Sequence, residues 1–152
     1  MKKSKVILDT DIIINWLTKE ENLKTGFELW KAPHRIIKSI EDNEIEGFLS
    51  LLSLFEIRFV LRRKKKFSNK IIEEAISDIV SNIQILIPDE IVLLKSNQLQ
   101  VEEFLDPFDS ILLSLALKIE SGILITRDKE FIRIAKKIVD VMSPEEFIKF
   151  KP

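Results

Sequence analysis

The stretch VILDTDIII, residues 6–14, sets Asp9 and Asp11 inside a run of Val, Ile and Leu. Such a run reads as a strand buried on both faces, where a lone ionised carboxylate is costly. Other acids hold comparable positions. Glu56 follows the run FLS within SLLSLFEI, Asp109 lies in the first turn of a helix opened by Asp106-Pro107, and Asp128 follows GILIT within ITRDKEF. Ligand sites in parallel α/β sheets form beyond the carboxyl ends of the strands, and Asp9, Glu56, Asp109 and Asp128 all fall there. Two carboxylates about 4 Å apart repel by roughly 4 kcal/mol at an effective dielectric of 20. A gathered set is tolerable only when protonated or bridged by a cation. A divalent ion in that place can activate water against a phosphodiester.

Each acid alone also has a structural explanation. Glu56 completes Ser53-x-x-Glu56, the pattern of a capping box, and Asp109 at the third helical position suits the helix dipole. Asp128 can cap the following helix. Asp11 reads as the cap of a helix beginning at Ile12, which leaves Asp9 with no evident helix to cap. The conjunction of the four, more than any one of them, points to a cation site.

Composition narrows the chemistry. The sequence has no cysteine and one histidine, His34. Disulfides, thiolate sites, a Cys nucleophile and an imidazole-rich zinc site are therefore excluded, and any metal site is built of oxygen ligands suited to Mg²⁺ or Mn²⁺. His34 reads as an ordinary, partly exposed residue. The net charge of −1 excludes a globally basic nucleic-acid binder. The opening MKKSKVILDTDIII lacks a signal-peptide pattern, because two Asp interrupt the apolar stretch and no small-residue cleavage site follows. No stretch has the length of an uncharged membrane span. These features predict a cytoplasmic protein with no membrane contact.

With 3 Gly and 5 Pro among 152 residues, the chain has few sharp breaks and no flexible linker, so residues 1–152 read as one domain. That length buries about 70% of the unfolded surface. Short β-branched runs at 5–9, 46–50, 83–87, 122–126 and 138–142 predict strands. Helical periodicity separates them. It is clearest at 107–121, where Asp106 caps and Pro107 occupies the first turn, and at 54–64, which is apolar nearly all round until Arg62. A further helix starts at Ser143-Pro144-Glu145-Glu146, whereas 19–32 reads as loop with some helix around Trp30. The alternation predicts a three-layer α/β/α domain with a central parallel sheet of four or five strands. The first strand is expected at the centre, since Val6 to Leu8 are apolar on both faces.

In order along the chain, ILDTDIII, SLFEI, DPFDSILLSLAL and ILITRDKEF resemble the motifs of PIN-domain proteins, most closely the VapC-type toxin ribonucleases of toxin–antitoxin pairs. The resemblance spans residues 6 to about 131. It implies that Asp9, Glu56, Asp109 and Asp128 match the family's acidic quartet around Mg²⁺ or Mn²⁺, with Asp9 and Asp109 as direct ligands and Glu56 and Asp128 acting through water or on a second ion. Thr10 and Thr126 match positions that orient those carboxylates. Leu112 and Leu113 depart from the family's small Ala residues, and residues 19–45 carry no family signature. The implied activity is a metal-dependent endoribonuclease, and the implied partners are RNA and a small antitoxin docked on the helical region.

Three alternatives remain at this stage. One is a housekeeping RNA-processing nuclease of the same fold. Another is a PIN-like binding module without turnover. The third is a haloacid dehalogenase-like phosphatase, suggested by Asp9-x-Asp11 but disfavoured by Ile13 and by the placing of Asp106 and Asp109. A homodimer is expected from the greasy helices at 54–61 and 108–119. Near the pocket, Arg58, Arg62, Arg63 and Arg127 are the cations expected to contact RNA, with the run 62–66 alternatively a solvated helix end.

Overall fold

Val6, Ile7 and Leu8 have no solvent exposure, and their side chains divide between two packed layers. Val6 and Leu8 pack in one cluster and Ile7 in the other. That is the period-two alternation of a strand covered on both faces. The computed structural model describes residues 2–150. In chain order it runs β1 (Lys5–Leu8), α1 (Thr10–Thr18), α2 (Lys31–Glu41), β2 (Glu46–Ser50), α3 (Leu51–Arg63), α4 (Asn69–Asn82) and β3 (Gln84–Leu86). It continues with α5 (Glu90–Glu102), α6 (Pro107–Leu117), β4 (Gly122–Ile125), α7 (Lys129–Ala135), β5 (Asp140–Met142) and α8 (Pro144–Phe150).

The five strands pair in parallel in the order β3-β2-β1-β4-β5, so β1 is central as expected. One face carries isoleucines of α1, α2 and α4, Ile57 and Leu61 of α3, and Phe147 of α8. The other carries Val92 and Leu99 of α5, Leu112 to Ala116 of α6, and Phe131 of α7. Three layers result. Gly47 in β2 lets α2 lie directly on the sheet, because a Cβ there would stand 2.4 Å from the Ile40 side chain. No helix among the described residues is long and apolar enough to cross a membrane.

Several boundaries differ from the sequence reading. The first helix begins at Thr10 and Asp9 is its cap, the residue for which no cap role was evident; Asp11 sits in the first turn. Likewise α3 begins at Leu51 with the Ser50 hydroxyl accepting from the Leu52 amide, so Ser53 and Glu56 form no capping box. Glu56 therefore lies more than a turn inside the helix, where a local structural role no longer explains it. The helix expected over 107–121 ends at Leu117, and its aliphatic residues Leu112, Leu113 and Leu115 are buried within the domain. Exposed apolar side chains remain on α6, at Phe108 and Leu117, and on α3, at Phe55 and Phe59, and α5 adds Ile91, Leu94 and Val101.

Candidate active site

Strand order fixes where a site forms. The chain progresses outward from β1 through β2 to β3 on one side, and β4 and β5 lie on the other. The crevice beyond the ends of β1 and β4 is the topological switch point of such a sheet. Asp9 directly follows β1, its amide donating to the Ile125 carbonyl of β4 at 3.0 Å. Asp128 lies just past β4 as the cap of α7. Glu56 comes from α3 and Asp109 from the first turn of α6. All four line one cleft of about 190 Å³.

Two threonine hydroxyls donate to these acids. Thr126 Oγ1 donates to Asp9 Oδ2 at 2.8 Å, and Thr10 Oγ1 donates to Glu56 Oε1 at 3.0 Å. The Thr10 amide donates to Asp9 Oδ1 at 2.8 Å. Asp128 Oδ1 accepts the amides of Glu130 and Phe131 at 3.0 and 3.1 Å. Both threonines are buried, so their hydroxyls are tied to the acids rather than to bulk water.

The cleft is more acidic than the sequence suggested. Asp11 and Asp106 also line it, giving six carboxylates, while no Lys, Arg or His belongs to its lining. Asp106 accepts the Asp109 amide at 2.8 Å, the capping role expected for it. Both residues read as plain caps along the chain. The missed signal was that a cap and the third helical residue open on the same side of a helix start, beside the same crevice.

Electrostatics record the crowding. Burial raises Asp9 to about 6, against the lowering effect of its hydrogen bond from Thr126 and with help from the Asp11 charge. Asp109 is raised to about 8 by burial, by the charges of Asp106 and Asp9, and by a carboxyl–carboxyl hydrogen bond to Asp106 that keeps the proton in place. Glu56 and Asp11 are raised as well, each first by burial. Among the described residues, no three Asp, Glu or His side chains stand close enough to grip an ion as they are. A set of hard oxygen donors with no cation among them fits Mg²⁺ or Mn²⁺.

The arginines divide. Arg127 is not free: its Nε donates to Asn15 Oδ1 at 2.8 Å, Nη1 to both Glu145 oxygens at 2.6 and 2.9 Å, and Nη2 to the Leu29 carbonyl at 2.6 Å. It ties α1, the segment before α2, and α8 together, and it is absent from the cleft lining. All three guanidinium nitrogens are thus engaged within the domain. Arg58 is exposed and ion-paired to Glu73 of α4. Arg62 and Arg63 are exposed at the end of α3, with no ion-pair partner among the described residues. His34 is exposed, its ring edge-on to Trp30.

Residues 5–130 match the family model described as PIN domain, and the chain belongs to that family, which places it among nucleases. The match sets aside the haloacid dehalogenase-like alternative. No curated protein sequence matches the chain. In structure it is similar to a toxin–antitoxin complex from Klebsiella pneumoniae, at 20% identity and a TM-score of 0.65, covering 91% of this chain and 97% of that one. It is similar also to VapBC2 from Rickettsia felis bound to a DNA fragment from its promoter, at 15% identity and a TM-score of 0.68, covering 91% and 98%. DNA-bound VapBC from Salmonella typhimurium is a third, at 15% identity and a TM-score of 0.65, covering 93% and 98%. At these identities the likeness is one of fold.

Proposed function

We propose that this protein is a Mg²⁺- or Mn²⁺-dependent endoribonuclease, cytoplasmic, acting as the toxin of a type II toxin–antitoxin pair. The observation that carries the reading is the meeting of Asp9, Glu56, Asp109 and Asp128 at the sheet's switch point with no cation in the cleft lining. Asp9 and Asp109 would hold the ion, with Glu56 and Asp128 reaching it through water or serving a second one. When bound, such an ion supplies charge compensation for the acids and the phosphate and lowers the pKa of attacking water. The protein's own part is orientation: Thr126 and Thr10 fix the Asp9 and Glu56 carboxylates, and Asp106 holds Asp109 by its amide.

The toxin assignment is supported by similarity in fold to toxins seen with their antitoxins. A small antitoxin covering the cleft, presenting a basic side chain to its acids, would complement a site this negative. A homodimer is supported by the aliphatic stripe of Ile91, Leu94 and Val101 on α5, exposed on one helical face. RNA is the substrate we assign, held in part by Arg62 and Arg63.

The test is cleavage of RNA by purified protein after chelation and after return of Mn²⁺. Activity lost to the chelator and regained with Mn²⁺ supports the reading, whereas cleavage indifferent to both contradicts it. Asp9→Asn, which removes charge at nearly constant shape, is expected to be folded and inactive.

A further inference from the structure

Arg127 stands between Thr126, which donates to Asp9, and Asp128, which caps α7. Thr126 Oγ1 also accepts the Asp128 amide at 3.2 Å. The turn 126–128 therefore carries an orienting hydroxyl and a cleft carboxylate on one short stretch of backbone. Its middle side chain is not part of the cleft lining.

That side chain instead meets three segments distant in sequence: Asn15 of α1, the Leu29 carbonyl before α2, and Glu145 in the first turn of α8. Arg127 is 19% exposed and Glu145 31%. Asn15 is buried, and its Nδ2 donates to Glu20 Oε2 at 3.0 Å while its Oδ1 accepts from Arg127. A cation on one side and a carboxylate on the other set the orientation of that amide. The guanidinium plane is thus held by groups on three separate segments.

Stability alone does not explain such a group. A largely buried ion pair costs desolvation on both partners, and apolar side chains of similar volume often serve a fold as well. What an apolar pair lacks is direction. A guanidinium is a rigid planar fork, so engaging all of its nitrogens constrains the backbone that bears it. Here that backbone is the Thr126–Asp128 turn.

Resting on the nuclease reading above, we propose that Arg127 is a positioning residue for the reaction, with Glu145 of α8 as its main anchor. The pair sets the turn at which the Thr126 hydroxyl meets Asp9 and the Asp128 carboxylate faces the cleft. Helix α8 lends no residue to the cleft lining, yet through Glu145 it takes part in ordering the site.

The test compares Arg127→Ala and Glu145→Gln with a control, Ile79→Ala, each in the full chain. Glu145→Gln keeps one acceptor for Arg127 and so remains a folded probe even where Arg127→Ala is not. Ile79 is buried in α4 outside the cleft lining, and its truncation weakens the core by as much or more without touching the turn. Two readouts are taken well below every melting temperature. The first needs neither metal nor RNA: hydrogen exchange at the amides of Asp128, Glu130 and Phe131, which donate to Thr126 Oγ1 and Asp128 Oδ1. Relative to the rest of the core, these amides should exchange faster in Arg127→Ala and Glu145→Gln but not in Ile79→Ala. The second is RNA cleavage at saturating Mn²⁺. There kcat should fall by about 10- to 100-fold in Arg127→Ala and by less in Glu145→Gln, with KM nearly unchanged and Ile79→Ala close to wild type. Unchanged exchange at these amides, an unchanged kcat, or an equal loss in Ile79→Ala would make Arg127 a stabilising group only. Each would overturn the proposal and leave the nuclease reading intact. A wild type that binds Mn²⁺ yet cuts no RNA would overturn both.

Discussion

Thr126 stands against Asp9 with its Oγ1 donating to Asp9 Oδ2 at 2.8 Å, and Thr126 Oγ1 in turn accepts the Asp128 amide at 3.2 Å. One buried side chain thus joins two acids that come from different strand ends. Thr126→Val keeps the shape and removes donor and acceptor together. Because the residue has no solvent exposure, water does not replace either bond. The expected loss is about 1–3 kcal/mol, read as a lower denaturant midpoint at an unchanged slope. Asp9 should titrate higher still, since a bond to its ionised form is gone. Thr126→Ser should restore both.

Stability of the metal-free protein should fall as pH rises through the cleft's titration range. Asp9 and Asp109 are raised from the ordinary 3.8 to about 6 and about 8, so between about 4 and 8 the folded state holds protons that the unfolded state has released. The sign follows directly: these two groups favour the fold at the acid end and lose that advantage as each ionises. Mn²⁺ displaces those protons, so its stabilising effect should grow with pH. Melting curves at about pH 5 and about pH 8, with chelator and with Mn²⁺, check both trends. A metal-free melting temperature that rises across that interval would count against the crowded-acid picture.

Asp109→Asn separates stability from function. Removing this charge relieves repulsion with Asp106, Asp9 and Asp128. In chelator above pH 8 the variant should melt about 2–4 °C higher than wild type. It should also lose cleavage and most of its Mn²⁺ affinity. Functional sites commonly carry such stored cost.

The arginines should behave in opposite ways. Arg127→Ala leaves Glu145 and the Leu29 carbonyl without their partner and should lower stability by about 2 kcal/mol. Lysine should recover little of this, since one ammonium cannot meet three directions at once. Arg62→Ala with Arg63→Ala should leave the melting temperature nearly unchanged and flatten the salt dependence of RNA binding. An unchanged slope would return that run to a solvated helix end.

Much of the site was legible because carboxylates near strand ends have few local reasons to be there. Asp9 stood out on that ground, and Glu56, Asp109 and Asp128 did so only in conjunction with it, while β1 showed its central place through three consecutive apolar residues. What stayed hidden was direction. Arg127 adjoins Asp128 in sequence, yet neighbouring residues beyond a strand project to opposite sides. Its partners at Leu29 and Asn15 lie some hundred residues away in sequence, Leu29 in a segment that reads as loop. The start of α3 was ambiguous for a simpler reason: Ser50 and Ser53 both precede apolar residues, and either can cap. Asp11 and Asp106 were read for their local capping chemistry, which hid their place in the cleft.

The central claim is that the acids of this cleft hold a divalent ion, and crystals soaked in Mn²⁺ test it most directly through anomalous scattering. The account predicts a Mn²⁺ peak within coordination distance of Asp9 and Asp109, with the Glu56 and Asp128 carboxylates drawn toward it. That peak should vanish in Asp9→Asn. A soaked crystal with no peak in the cleft, or with the ion held elsewhere on the surface and the six carboxylates unmoved, would contradict it.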